Sequence, residues 1–414
     1  MIGMDGVDKF VRAGWFEENR VVDEGLKVRY CEGWDDGAVV GPLSAREARA
    51  RDESGAQYAV AIVASDGKVV AYAEIAWGAR FARCWQIDAE RWEFDDTGRW
   101  QRIEYRRLDD GRLFLFDAET WYDAGVIEPD TGQLCSHRRW AFFPPGRVRG
   151  EFTYCAGGSG GRGFDVDPAE LTLAWEFGDW ATLCGLKTAV PLQELPDPER
   201  EPGIQVTPPW RPPEPIRPPA LAELFTPGTV FELTDGSCGE MDVYEVGLLM
   251  VGNSGLVIGD PGALEFDNGW KMDLPPGGYP IELAEIIFDD ETRIAAAKVV
   301  VGEHPPVSWE LLAQDDTDFV FLHEDEHVGF GVDSGTAAFV DADSIDEILD
   351  SIEAGLQAAD LDDLGFPGLI SFESGWGDGS YPVWIGRDQN NDVSEVVADF
   401  RVAHEARVIS EQTR

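Results

Sequence analysis

Apolar and polar side chains alternate with a strand's period of two through much of the first half of this chain. The stretch YAVAIVASDGKVVAYAEIAW sets Ser65-Asp66-Gly67-Lys68 between two apolar runs. RWEFDDTGRWQRIEYRRLDDGRLFLFDAETWY repeats the device at Asp95-Asp96-Thr97-Gly98 and at Asp109-Asp110-Gly111. Asp and Gly tolerate the positive φ of tight hairpin turns, so the pattern predicts an antiparallel meander. After residue 220 the pattern changes. VYEVGLLMVG, RIAAAKVVVG, TDFVFL and TAAFV read as strands, whereas SIDEILDSIEAGLQAAD sets Ile345, Ile348, Leu349, Ile352 and Leu356 at helical spacing behind a Ser344/Glu347 capping box. The expected fold class is mainly β, a β-rich α+β arrangement with one clear helix near 344–359.

Proline marks the division. Eleven of the 25 prolines fall between Pro191 and Pro219, and because proline removes backbone donors and favours extended backbone, this segment is expected to be a stiff, poorly paired linker. The expected domains are residues 1–190, antiparallel and rich in Trp and Arg, and residues 220–414, with 191–219 between them. A length of 414 residues also favours two cores over one.

Charge separates the halves further. Residues 1–218 carry 26 basic against 38 acidic side chains, whereas residues 219–414 carry 7 against 41, so most of the formal net charge of −46 belongs to the second half. Such a charge opposes nucleic acid and anionic membranes as partners and favours a basic protein. The opening MIGMDGVDKFVRAGWF lacks the basic segment and apolar run of a secretion signal, so a cytoplasmic location is expected. The six cysteines form no C-x-x-C pair, which argues for free thiols. Eleven of the 15 tryptophans lie before residue 211, several beside arginine, as in CSHRRWAFFPPGRVRG. Either they fill a core or they form an exposed aromatic and arginine patch suited to an interface.

Several short motifs invite chemistry. His323-Glu324-Asp325-Glu326-His327 matches the H-E-x-x-H spelling of zinc metalloproteases, but those histidines must share a helix face, and the aromatic, β-branched flanks predict a solvated acidic hairpin instead. His137, His304 and His404 stand apart in sequence, and no metal or cofactor is expected. Gly158, Gly160 and Gly163 have the G-x-G-x-x-G register, yet the first helix start signal comes only at Asp167-Pro168, so a loop is expected. DADSIDE places Ile345 and Asp346 where a calcium loop needs a ligand and a glycine, and reads as a helix start. Asp333, Asp341, Asp378 and Asp388 recur in glycine-rich settings near Ser334, Trp376 and Tyr381. Carboxylates in such settings either make turns or bind a hard cation and do acid-base work.

The ordered series IGDPGALEF, PPGGYPIEL, GVDSGTAAFVD, SGWGDGSYPVWIGRD and VADF resembles the bacterial domain-of-unknown-function family 4241 over roughly residues 225–402. The resemblance implies a bacterial origin and a domain type, not a reaction. It directs attention to Asp260, Pro261, Tyr279, Pro280, Asp333, Gly335, Asp341, Trp376, Asp378, Tyr381, Asp388 and Asp399. Two functions stay open. One is a non-enzymatic binding protein of the immunity or interaction type, with a protein partner met by the first domain and binding candidates Asp260, Tyr279, Ser334, Trp376, Tyr381 and Asp388. The other is a metal-dependent or acid-base hydrolase using Asp333, Asp341 and Asp378.

Overall fold

Tight Asp-Gly turns fold the first half back on itself. The computed structural model describes residues 21–22, 25–35, 38–87, 99–127, 132–188, 191–197, 206–266, 269–289, 291–314, 317–354 and 366–409, and it is β-rich, with 50% strand and 13% helix. Two compact units emerge, Met1–Glu214 with Phe319–Phe321, and Pro215–Asp318 with Leu322–Arg414. The first is built on β1 (Lys27–Asp35), β2 (Ala38–Leu43), β3 (Tyr58–Val63), β4 (Val69–Ala76), β5 (Phe81–Ile87), β6 (Arg99–Arg107), β7 (Leu113–Ile127), β8 (Leu134–Phe143), β9 (Arg147–Tyr154) and β10 (Ser159–Asp165). From β3 to β10 each strand pairs antiparallel with the next, and β3 also pairs with β1. The turns at Gly67 (φ +89°) and Gly111 (φ +84°) fall where expected; the turn expected at Asp95–Gly98 lies outside the described residues.

One side of this sheet carries an apolar core that includes Val60, Ile75, Cys84, Ile103, Trp140 and Phe152. Across the opposite positions runs a row of charges. Glu74 pairs in the ladder with Arg83, Arg83 with Glu104, and Glu104 with Asp117, while Arg102 pairs with Glu119 and Glu119 with Arg139. Asp117 is fully buried and accepts from Arg102 at 2.9 Å and from Arg139 at 2.8 Å. Arg106, also buried, lies 3.9 Å above the Phe116 ring and donates to the Val320 carbonyl at 2.7 Å. Phe321 stands 5.2 Å from Phe114. TDFVFL, expected to be a strand, is instead a 3-10 turn, Phe319–Phe321, whose Phe321 ring packs on the first unit's core.

The tryptophan question resolves toward packing. Trp77, Trp100, Trp140 and Trp180 are buried, and every other described tryptophan of the first unit is half-buried. Arginines stack on the aromatic rings, Arg162 over Trp140 at 5.1 Å and Arg107 over Trp77 at 5.2 Å. The proline-rich segment is anchored as well. Gln193 and Glu194 pair parallel with Lys27 and Val28, and the Trp210 indole donates to the Glu32 carbonyl at 2.9 Å. Helix α1 (Ala45–Ser54) was not expected. It starts with a complete capping box between Ser44 and Glu47 and stops at Gly55, which takes φ +76°.

The glycine-rich GSGGRGF is not a loop but the edge strand β10. It pairs with β9 over its whole length because Arg162 and Phe164 pack on Trp140 while Gly161 and Gly163 leave the other side bare.

The second unit contains β11 (Val230–Glu232), β12 (Cys238–Val251), β13 (Leu256–Gly259), β14 (Trp270–Met272), β15 (Gly277–Ile287), β16 (Thr292–Val300), β17 (Ser308–Leu311), β18 (Phe330–Val332), β19 (Thr336–Asp341), β20 (Leu369–Glu373), β21 (Gly379–Tyr381), β22 (Val383–Arg387), β23 (Val393–Asp399) and β24 (Arg407–Ile409). Eight strands form a sheet in the order β17-β22-β23-β16-β15-β12-β11-β24; β14, β13, β19 and β20 form a second. Helix α2 (Ile345–Glu353) lays Ile345, Ile348, Leu349 and Ile352 on Val257, Val340 and Leu369 of that second sheet. Leu356 and the expected continuation to 359 lie outside the described residues. Its cap also differs from the one expected. Asp341, not Ser344, caps the preceding 3-10 turn, and Ser344 donates to Asp341 at 2.8 Å.

Asp399 ends β23 inside the main core, where burial raises its carboxyl to about 6 against the lowering pull of the Arg401 N–H and the Trp384 indole. The folded-state value exceeds that of an unfolded aspartate. This group's contribution to stability is therefore full below about pH 4 and lost as pH rises through its folded value. Asp399→Asn should raise the melting temperature at pH 8 and not at pH 4, and an equal effect at both would refute the cause assigned here. In the first unit, Asp117→Ala leaves Arg102 and Arg139 without their buried partner and should cost about 3–5 kcal/mol in denaturant unfolding. A loss below about 1 kcal/mol, typical of exposed pairs, would show that the row is solvated.

Candidate functional site

The aspartates singled out by the sequence are placed by turns, and the turns consume them. Asp260 follows β13 and is buried. Its carboxylate accepts from the Gly262, Asp333 and Ser334 N–H groups, each at 2.8 Å, and from the Ser334 hydroxyl at 2.9 Å. Four donors satisfy both oxygens and pin the Asp333–Gly335 turn to the end of β13. Asp341, also buried, accepts from the Gly252 N–H at 2.8 Å and the Asp343 N–H at 3.3 Å, besides Ser344. Beside it Asp343 takes the Ser254 hydroxyl and the Asn253 N–H, which hold its carboxyl below the usual range. Asp388 closes the β22–β23 turn by accepting from the Asn390 N–H at 2.8 Å and the Asp392 N–H at 3.0 Å.

Of the three candidate catalytic aspartates, two come together and one does not. Val332 of β18 pairs with Gly379 of β21, so the adjoining Asp333 and Asp378 leave that ladder side by side, both exposed. Asp341 stands at the far end of β19, about 17 Å of strand away by the usual rise per residue. The loop carrying Asp378 is held from below by Tyr381, whose hydroxyl donates to the Gly377 carbonyl at 2.7 Å and to the Ser374 carbonyl at 3.1 Å. The Ser374 N–H donates to the Gly335 carbonyl at 3.1 Å, which joins this loop to the Asp333 turn. Gly375 takes φ +55°, and a Cβ there would meet Phe400 at 2.8 Å, so only glycine fits. Trp376 projects from the same loop at 54% exposure beneath the Arg293 guanidinium, 5.1 Å from its ring centre. Tyr279 is not part of this group; its hydroxyl donates to the Pro275 carbonyl at 2.6 Å.

His323–His327 is a turn, closed by the Glu326 N–H to the His323 carbonyl at 3.2 Å, with Asp325 at φ +56°. It does not join two paired strands as expected. The run before it is the 3-10 turn Phe319–Phe321, and β18 after it pairs with β21. Both ring nitrogens of His327 are occupied, Nε2 on the Ser380 carbonyl at 3.0 Å and Nδ1 against the Arg401 guanidinium at 3.0 Å. Burial pushes this imidazole down, and the nearby Arg401 charge acts in the same direction. Among the described residues no group of three or more His, Cys, Asp or Glu side chains is placed to hold a metal ion.

In the first unit a groove of about 1060 Å³ lies along β9 and β10, lined by His137, Arg147, Arg149, Glu151 and Ser159 among others. Its floor is open because Gly161 and Gly163 carry no side chains. The alternation of glycine with Arg162 and Phe164 was the sequence signal for it, masked by the resemblance of the stretch to a flexible loop.

No helix among the described residues is long and apolar enough to cross a membrane. Comparison with curated proteins finds no match to the chain, and no family model matches the expected first domain, residues 1–190. A family model described as "Protein of unknown function (DUF4241)" matches residues 250–398. The matched stretch takes in Asp260, Asp333, Asp341, Asp378 and Asp388, and Asp399 lies one residue beyond it. Residues 250–398 are thus a match to the family of unknown function numbered 4241, narrower than the span its ordered motifs suggested.

Proposed function

We propose that this protein acts by binding another protein, of basic character, and not by catalysing a reaction. The observation that carries the reading is the use made of the carboxylates. Asp260, Asp341 and Asp388 each spend their oxygens on backbone N–H groups and on one neighbouring hydroxyl or side-chain amide. A side chain so engaged holds a loop in shape and is poorly placed to take a proton or a metal. Meanwhile the second half of the chain keeps 41 acidic against 7 basic side chains, a field that speeds encounter with a cationic protein and that salt weakens. A bacterial cytoplasmic protein that covers a basic toxin or effector is the concrete form of this reading.

One arrangement favours the hydrolase reading: Asp333 and Asp378 stand adjacent and exposed beside Ser334 and Trp376. The two readings part on a single residue. Affinity capture from extract of the source cell at about 50 mM and 500 mM salt should retain a stoichiometric basic protein, more weakly at the higher salt as charge screening requires. Asp378→Ala should leave both melting temperature and capture unchanged. No retained partner, together with hydrolysis of a small substrate that Asp378→Ala abolishes, would replace the binding reading with the enzymatic one.

A further inference from the structure

His327 joins three segments of the second unit through one ring. Its Nε2 meets the Ser380 carbonyl of β21 at 3.0 Å, and its Nδ1 meets the Arg401 guanidinium beyond β23 at 3.0 Å. A carbonyl only accepts and a guanidinium only donates. The ring must therefore carry its single proton on Nε2 and accept at Nδ1, which only the neutral imidazole can do. The turn that carries the ring is itself fixed. The Glu326 carboxylate accepts from the His323 N–H at 2.7 Å, and the Glu326 carbonyl accepts from the Ile216 N–H at 3.2 Å.

Arg401 depends on that contact. Its backbone takes φ +55°, a conformation that is costly for any residue but glycine and that surrounding bonds must hold in place. Two bonds do so: the Arg401 N–H donates to the Asp399 carboxylate at 2.8 Å, and the guanidinium donates to His327. In a half of the chain with 41 acidic side chains, no carboxylate pairs with this guanidinium among the described residues, and a neutral imidazole is its partner instead. From Arg401 the chain turns through His404, whose N–H donates to the Arg401 carbonyl at 3.2 Å. It then reaches β24, which is held by three ladder pairs to β11 and by the Arg407–Glu232 ion pair.

A second proton on His327 breaks this joint. It sets an Nδ1–H against the guanidinium N–H, two cations with no acceptor between them. Burial already pushes the His327 imidazole down, and Arg401 and His404 add to that push, against the upward pull of the Ser380 carbonyl and Glu326. His404 is lowered too, by burial and by Arg401, against Glu405 and Asp325. Asp399 acts in the opposite sense, because a proton relieves its buried carboxylate and acid therefore favours its burial.

We propose that His327 is an acid-sensitive latch: neutral, it fastens the Arg401–His404 turn to β21; protonated, it lets go of Arg401, and residues 401–409 open while the sheets stay folded. The latch lies within the second unit and stands whether the protein binds a partner or catalyses a reaction. Its folded value lies below the ordinary one, so the joint is at full strength above about pH 6.5 and is lost as pH falls through the folded value. The ordinary imidazole value also bounds the response. A joint that only neutral His327 can close opens at most about thirty-fold more at about pH 5 than at about pH 8.

The test is hydrogen exchange on the full chain at about pH 8 and about pH 5, corrected for the pH dependence of chemical exchange itself. Protection of residues 401–409 should fall roughly five- to thirty-fold in acid, while that of β15 and β16 should change by less than about two-fold. His327→Gln keeps one donor and one acceptor but cannot titrate, and it should abolish the fall. His404→Gln should leave the fall in place. Unchanged protection of 401–409 in the wild-type chain, a fall that persists in His327→Gln, or a fall that His404→Gln abolishes would overturn the latch. Should His327→Gln fail to fold, nitrogen NMR of histidine-labelled wild-type chain decides, with His327 assigned through Gln variants of the other histidines. Its proton should sit on Nε2 at about pH 8, and the second should arrive in step with the loss of protection. A proton on Nδ1 at that pH, or protection lost while His327 is still neutral, would overturn the latch equally.

Discussion

A carboxylate removed from water must find donors, and this chain has far more carboxylates than cations. Its two units meet that constraint differently. The first holds most of the chain's arginines and uses them: Asp117 lies between Arg102 and Arg139, and Glu104 accepts from Arg83 at 2.8 Å, in a row that crosses successive strands. The second half has only 7 basic residues, so its buried aspartates turn to the backbone. Asp260 collects three N–H groups and a hydroxyl, Asp341 two N–H groups and a hydroxyl, and Asp388 two N–H groups and an amide. Charged acceptors bind backbone donors strongly, so each such residue fixes a turn that its own sequence would leave loose. Asp399 shows the limit of the device. It accepts one N–H and one indole at 3.4 Å, and its carboxyl rises toward neutrality.

The same constraint orders the functional reading. A residue pattern of glycine with aspartate looks alike whether it builds turns or a catalytic centre, because both need tight backbone and a carboxylate. Donor geometry separates them. At Asp260 the acceptor capacity is filled from within the fold; at Asp333 and Asp378 the side chains face solvent. The adjacent pair is thus the part of this constellation with capacity to meet a ligand, while the buried members hold the loops on which it stands.

Much of the architecture was legible because it follows from local chemistry. The Asp-Gly turns at Gly67 and Gly111, the strands VYEVGLLMVG and RIAAAKVVVG, and the helix carrying Ile348 and Ile352 each obey a period that a few neighbours suffice to reveal. What was misread depends on distant partners. TDFVFL alternates like a strand, yet Phe321 is drawn to Phe114 and the Val320 carbonyl to Arg106, contacts separated by some two hundred residues. GSGGRGF has the composition of a loop, but Arg162 on Trp140 makes it an edge strand. The Ser344/Glu347 box lost to Asp341 because a carboxylate already bonded to Gly252 stood one turn earlier. Helix α1 is only half legible: Ser44, Glu47 and Gly55 spell its start and stop, but its sequence AREARARDES carries too few apolar residues for a periodic stripe.

The acidity and the buried core also decide what kind of surface the second unit can present. Because its internal carboxylates are satisfied by backbone, its charge stays outside, on residues such as Asp242 and Glu245. Such a field draws in a cationic protein and holds off an anionic one, and salt weakens both effects. The field therefore acts as a filter. By charge alone it favours a partner of opposite sign, so the surplus of carboxylates that shapes the turns also sets the field that any partner meets first.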